Sequence, residues 1–438
     1  MSQSVTVVGG SNQGSISGAI AVPVANGTTA HEIAKLQTLL ADISSSILGG
    51  TAGLTNQDVA GRSGLITLPA SSNLGSNVLE LTDTVFSSVS TSKTSALAVT
   101  HAGLTVTPPT SSISAPTNTS ISASIPVGYN YVVAQAPGTM TLMGNGATNS
   151  TYLLGAATNV DLSIEGGSGS IVAAGGADTL NLGGSYAVTA TGGSVNIAIE
   201  FGTDTVVATG SATVVAGSSP GYGGLLYFVN DSNAAATVSG GAGSDTIFGG
   251  KAGGTFYGGS AGNNSLIGGS GAVNLVGGNN GDLLEAGVST HGATVAGVNV
   301  LQAGSGSETL IATSLTGSNF FTTGAGIDSV VSDGTGVQDF FAGGGSATLT
   351  GSTMTGASNT FFFGGATSTA GGLDVITNFN MSKDVLFGIG GVNIQTVVSS
   401  SFQGSPGALL TLTDGTQVAM IGVSSTSIIK DIGKNSIT

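Results

Sequence analysis

The chain has 438 residues, 75 of them glycine, with no cysteine or tryptophan, and seven basic against 22 acidic side chains give a net charge of −15. That balance argues against nucleic acid or anionic membrane as a partner, both of which need a basic face, and the missing cysteines exclude thiol chemistry and a disulfide framework. With 40% apolar and only 7% charged residues, the chain is too hydrophobic for a disordered glycine-serine polymer, and it lacks the proline period of collagen.

The opening stretch, Met1-Ser2-Gln3-Ser4-Val5-Thr6, has neither a basic n-region nor a continuous apolar h-region. Nor does any apolar run of membrane-spanning length follow, so no membrane insertion is expected. These signals alone would suggest a cytoplasmic protein. Residues 1–50 read as an N-terminal strand plus a helix. Thr29 and Glu32 form a capping box, and Ile33, Leu36, Leu40, Ile43 and Ile47 fall on one helical face before Gly49-Gly50 ends the pattern. Such a helix either lids an open end of stacked strands or docks on a neighbouring subunit. Residues 51–125 form a Ser/Thr-rich β joining region broken by Pro108-Pro109 and Pro116.

From residue 126 to 365 the chain reads as a glycine-rich β-solenoid. Gly-Gly pairs at Gly166, Gly175, Gly183 and Gly192 keep a spacing of eight or nine, with Ala177-Asp178-Thr179-Leu180 and Thr203-Asp204-Thr205-Val206 as degenerate copies of one unit. Pairs then begin at Gly240, Gly249, Gly258, Gly268 and Gly277, and Gly240-Gly241-Ala242-Gly243-Ser244-Asp245-Thr246-Ile247-Phe248 fits the nonapeptide G-G-x-G-x-D-x-U-x. Each unit is a glycine turn and a strand too short to bury anything alone, so successive units must stack, two units to a coil. Alternate units share an edge. That edge gathers Asp245, Asn263, Asn264 and Asp282, whose carboxylate and amide oxygens could hold one or two weak Ca2+ ions. The same side chains could instead bond turn backbone.

Downstream the period lengthens to about twenty. Gly304, Gly324, Gly344 and Gly364 mark it, and Asn319-Phe320-Phe321, Asp339-Phe340-Phe341 and Asn359-Thr360-Phe361-Phe362-Phe363 repeat in phase. Stacking predicts a phenylalanine ladder inside the roll and an Asn/Asp ladder at a turn. Proline is absent between Pro220 and Pro406, as strands with neighbours on both sides require. The fold expected is all-β: a right-handed parallel β-solenoid, or β-roll, with one short N-terminal amphipathic helix.

Catalytic patterns are missing. No H-E-x-x-H helix occurs, His31, His101 and His291 are scattered, and Arg62 is the sole arginine. Serines flanked by glycine, such as Ser168 and Ser305, fall in the repeat turns without a strand-to-helix elbow. The chain is therefore read as a non-enzyme.

Residues 366–438 form a cap. Gly371-Gly372-Leu373-Asp374-Val375-Ile376-Thr377-Asn378-Phe379, Lys383-Asp384-Val385-Leu386-Phe387 and Leu410-Thr411-Leu412-Thr413-Asp414-Gly415-Thr416-Gln417-Val418 resemble the closing segment of RTX-type proteins, the repeats-in-toxin family. Asp414-Gly415 reads independently as a tight hairpin turn. The resemblance covers roughly residues 160–438. It implies type I secretion through an uncleaved C-terminal signal, an extracellular or bacterial cell-surface location, and calcium-assisted folding. The cysteine-free, Gly/Ala/Ser/Thr-rich composition is also similar to that of S-layer proteins. The function expected is a secreted structural protein that self-assembles head to tail into a filament, surface layer or biofilm matrix, stabilised by calcium; the alternative is a monomeric adhesin for cell-surface polysaccharide or ice.

Overall fold

A computed structural model of the protein describes residues 3–9, 18–24, 54–58, 63–66, 77–82, 119–125, 129–134, 138–155, 158–218, 224–287, 297–312, 316–364 and 372–437. The helix expected over residues 29–48 lies outside them. Near the N-terminus, Gln3–Gly9 and Gly18–Val24 pair antiparallel. The chain divides into two compact units, one of residues 1–217 with 222–224, the other of 218–221 with 225–438. Both are parallel β-solenoids, as the glycine period predicts.

In the first unit, one wall runs Ser63–Ile66, Thr119–Ser124, Gly138–Met143, Thr158–Ile164, Ala177–Gly183, Ser194–Phe201 and Ser211–Ala216, each pairing in parallel with the next. The other runs Leu54–Asp58, Asn77–Thr82, Tyr129–Ala134, Ser150–Leu154, Ser168–Ala173, Ser185–Ala190 and Thr203–Ala208. The ladder thus reaches back into the stretch read as a joining region. Strict alternation of buried and exposed residues in Ser194–Phe201 and Ser211–Ala216 follows from the two-residue period of a strand with one face inside.

The second unit repeats the plan. In one wall Phe228, Ile247, Leu266, Leu284, Leu310, Val330, Leu349 and Ile376 stack in register. In the other Val238, Phe256, Leu275, Leu301, Phe321, Phe340, Phe361 and Leu386 do the same. These two columns are shut off from solvent, and burying each such side chain stabilises the roll by roughly 1.5–3 kcal/mol. At the turns, coils approach too closely for a side chain: a Cβ on Gly259 would run into the carbonyl oxygen of Gly241. Gly253 adds a φ of +78°, which favours glycine for a second reason.

The parallel ladder ends in a different geometry. Leu373–Thr377 pairs in parallel with Gln417–Ile421, which then pairs antiparallel with Ser405–Leu412, and that strand with Ile394–Phe402. Ser436–Ile437 closes the opposite wall by pairing antiparallel with Leu386 and Phe387. The Asp414-Gly415 turn is present as expected. Gly415 sits at φ +91°, and Asp414 Oδ1 accepts from Thr416 N at 3.0 Å. The short helix among the described residues is Ser425–Ile428, within this cap, where Ile428 is buried.

Candidate functional site: two buried polar columns

Every repeat turn must satisfy backbone N–H groups that no strand reaches. The acidic residue of the nonapeptide answers that need in a fixed way. Asp245 Oδ1 accepts from Leu226 N at 2.8 Å, one coil back, and its Oδ2 accepts from Gly241 N at 2.7 Å, four residues back. Asp282 repeats both contacts, with Asn264 N at 2.8 Å and Gly278 N at 2.6 Å. So does Asp328, with Glu308 N at 2.9 Å and Gly324 N at 2.7 Å. Asn264 takes the rung between the first two, its Oδ1 accepting from Asp245 N at 2.8 Å.

The first column therefore runs Asp245, Asn264, Asp282, Glu308, Asp328 and, after Ala347, Asp374, whose Oδ1 accepts from Ala347 N at 2.8 Å. All of these polar residues are at most 2% exposed. Three of the four candidate metal ligands, Asp245, Asn264 and Asp282, belong to it, bonding turn backbone as one of the two readings held. Asn263 does not. It is exposed at the turn in a left-handed conformation, φ +62°, and donates its own N–H to Asn280 O at 2.9 Å. Among the described residues, no three acidic or histidine side chains are placed to share a metal ion.

Glu308, Asp328 and Asp374 were not singled out from the sequence, and neither were Asp178 and Asp204 as functional positions. The first unit uses these last two for the contact one coil back. Asp178 Oδ1 accepts from Val160 N at 2.9 Å and Asp204 Oδ1 from Tyr186 N at 2.8 Å. The available signal was an acid at the beginning of a strand, directly before a hydroxyl or β-branched residue, as in Asp178-Thr179, Asp204-Thr205, Glu308-Thr309, Asp328-Ser329 and Asp374-Val375.

Burial makes these carboxyls weak acids, because a low-dielectric interior penalises the charged form. Asp178, Asp204 and Asp374 are pushed up to about 7 by burial. Glu308 is pushed up to about 8 by burial first and by its hydrogen bond to Asp328 second. Burial also raises Asp245 and Asp282. Among the described residues, Glu308 Oε2 and Asp204 Oδ2 have no hydrogen-bond partner.

The second column is made of amides. Asn299 Nδ2 donates to Asn319 Oδ1 at 2.8 Å, and Asn319 Nδ2 to Gln338 Oε1 at 2.6 Å. Further along, Asn359 Nδ2 donates to Asp384 Oδ1 at 3.0 Å. The expected Asn/Asp ladder is thus corrected at one rung. Gln338, not Asp339, pairs with Asn319 and Asn359. Gly317 and Gly336 are nineteen residues apart where neighbouring coils use twenty, and one residue of slip reverses every side chain. Asp339 accordingly points outward, opposite Phe320 and Thr360.

The phenylalanine ladder is inside as expected. Phe321 and Phe340 stack at 5.0 Å, and Phe340 and Phe361 at 4.7 Å. A second ladder stands on the outer face of the same wall, where Phe341 and Phe362 stack at 4.5 Å and 5°. The opposite wall carries an outward row of Thr246, Ser265, Leu283, Thr309, Ser329 and Thr348. No protein-family model, curated protein or solved structure matches the chain.

Proposed function

We propose that this is a secreted extracellular structural protein that self-assembles and is stabilised by calcium. What supports the reading is where the chain puts its polar and apolar groups. Buried carboxylates and amides hold one coil to the next. The outer walls carry large apolar side chains with few charges between them. Ile327 is 73% exposed, and Val298 and Val337 are 52% and 45% exposed. Large exposed apolar side chains are the groups that contact with another protein surface would cover. Secretion rests on the resemblance of residues 371–418 to the RTX closing segment, and calcium on the acidic column.

Negative-stain electron microscopy of the purified full-length chain, with calcium and with chelator, tests this. Ordered filaments or sheets support it, and their loss in chelator supports the calcium part. Dispersed single particles in all conditions overturn self-assembly. A second reading, an adhesin for polysaccharide, is favoured by the outward hydroxyl row from Thr246 to Thr348. Leu283 interrupts that row, and the outer phenylalanines Phe341 and Phe362 stack on each other, which covers one face of each ring. Glycan binding by a monomeric chain would select this second reading.

A further inference from the structure

The cap contains a strand, Ile394–Phe402, whose outer edge has no strand partner among the described residues. In Ile394–Phe402, Phe402 faces Ser405 across the two-residue turn Gln403-Gly404. Both turn residues have positive φ, +51° and +78°, the geometry of a tight hairpin. The closing pair of such a hairpin exchanges both hydrogen bonds, and alternate residues follow suit. Thr396, Val398, Ser400 and Phe402 therefore aim their backbone groups at Ser405–Leu412. Val397, Ser399 and Ser401 aim theirs away from it.

The far side of the hairpin agrees with this phase. Gly422 N donates to Pro406 O and Leu412 N to Thr416 O, both at 2.9 Å, so even-numbered residues of Ser405–Leu412 face Gln417–Ile421. Ile394 has its outward groups paired, donating to Lys434 O at 3.0 Å and accepting from Gly433 N at 2.8 Å. Beyond it, no strand among the described residues pairs with this edge.

Proteins blunt such edges with proline, charge, a bulge or a very short strand. Here nine residues contain neither proline nor charge, and the one register shift, between Ile394 and Thr396, lies at the closed end. Val398 is 51% exposed.

We propose that this edge docks the same edge of a second copy, antiparallel, about a twofold axis through Ser399. Pairing about Ser399 sets Val397 opposite Ser401 of the second copy, and the reverse, and satisfies every outward N–H and C=O from Val397 to Ser401. Charge selects the occupant. From Lys383 onward the chain carries three lysines and three aspartates, so the whole net charge of −15 lies before it. Two copies therefore meet cap to cap with the least mutual repulsion. The contact is isologous and closes as a dimer, so a filament needs a further contact elsewhere. Three paired residues on each side bury less than a standard interface, so association is weak and concentration-dependent.

The inference rests on the self-assembly reading only for its partner, and the test separates the two. Sedimentation velocity would compare the full-length chain with Ser401→Pro and Ser401→Lys over a wide concentration range. Ser401 is exposed and its N–H points outward, so both changes spare the hairpin's backbone ladder and remove only the exposed bond from Ser401 Oγ to Ser405 O. The expected result is a dimer whose formation weakens by about tenfold or more in both variants, with unchanged melting temperatures. In the cysteine-free background, Ser399→Cys, which gives up the bond between the Ser399 and Ser425 hydroxyls, should give a covalent dimer on mild oxidation. Equal assembly of wild type and both variants would overturn the edge contact and leave self-assembly standing. A wild-type chain that stays monomeric throughout would overturn both.

Discussion

Asn264 gives both its backbone N–H and its side-chain Nδ2 to one oxygen, Asp282 Oδ1, at 2.8 and 3.0 Å. A single carboxylate one coil ahead thus fixes the position of an entire turn, and its other oxygen fixes the turn before its own strand through Gly278 N. Removing it strands buried donors. Asp282→Ala should destabilise the second unit by about 2–5 kcal/mol, because unsatisfied buried N–H groups keep their desolvation penalty. Asp282→Asn keeps the acceptor for Asn264 and loses only the one for Gly278, so its effect should be less than half as large. Urea denaturation of the two variants checks the order, and equal midpoints would refute it.

Proton binding should favour the folded state. Asp178, Asp204 and Asp374 sit near 7 and Glu308 near 8 when folded, all above the ordinary carboxylate range of the unfolded chain. Their contribution is complete in acid, below the unfolded values near 4. It is lost as pH rises toward 7 to 8, by at most ~1.4 kcal/mol per group per pH unit. Thermal melts in chelator between mild acid and mild base should show a falling midpoint. A midpoint that rises over that range would contradict the raised values.

On the proposed reading, calcium would oppose the same loss by a different route. Bound to the folded chain alone, it raises the midpoint by mass action. If Asp245 and Asp282 hold the ion, the calcium-induced rise should vanish in the double variant Asp245→Asn, Asp282→Asn and survive in Asn263→Ala. Differential scanning calorimetry reads this directly. A rise that persists in the double variant places calcium elsewhere.

The two phenylalanine ladders should separate stability from association. Phe340 is fully buried between Phe321 and Phe361, so Phe340→Ala should cost about 3–5 kcal/mol. Phe341→Ser, on the outer face beside Phe362, should change stability by less than about 1 kcal/mol. Comparable losses in the two variants would mean that the outer row is also core.

The aromatic register shows where reading the chain stopped short. The repeated phrases around Phe321, Phe340 and Phe361 announced a ladder, and the ladder is there. The phrase puts Asp339 forward as its polar companion, because Asp339 precedes two phenylalanines as Asn319 does. A nineteen-residue coil among twenties moved it outside and put Gln338 in its place. Similarly, Asp245 and Asp282 were legible from their spacing after a glycine pair. Glu308 and Asp328 sit four residues after Gly304 and Gly324, single glycines where Asp245 and Asp282 follow a pair, and their membership of the column, with that of Asp374, became visible only once the strands were paired.

The sequence by itself determined the architecture: a glycine pair every nine or ten residues, followed by a short apolar strand, can bury its apolar face only by stacking on copies of itself. It also determined which residue types occupy the turns, since close coil contact admits only glycine there. Tertiary structure alone decided which way the polar side chains face, because a two-residue strand period turns each shift of one residue into an exchange of inside for outside. It alone decided that the closing strands reverse direction and leave the outer edge of Val397, Ser399 and Ser401 without a strand partner among the described residues, since an open edge is defined by the neighbours a strand has in space.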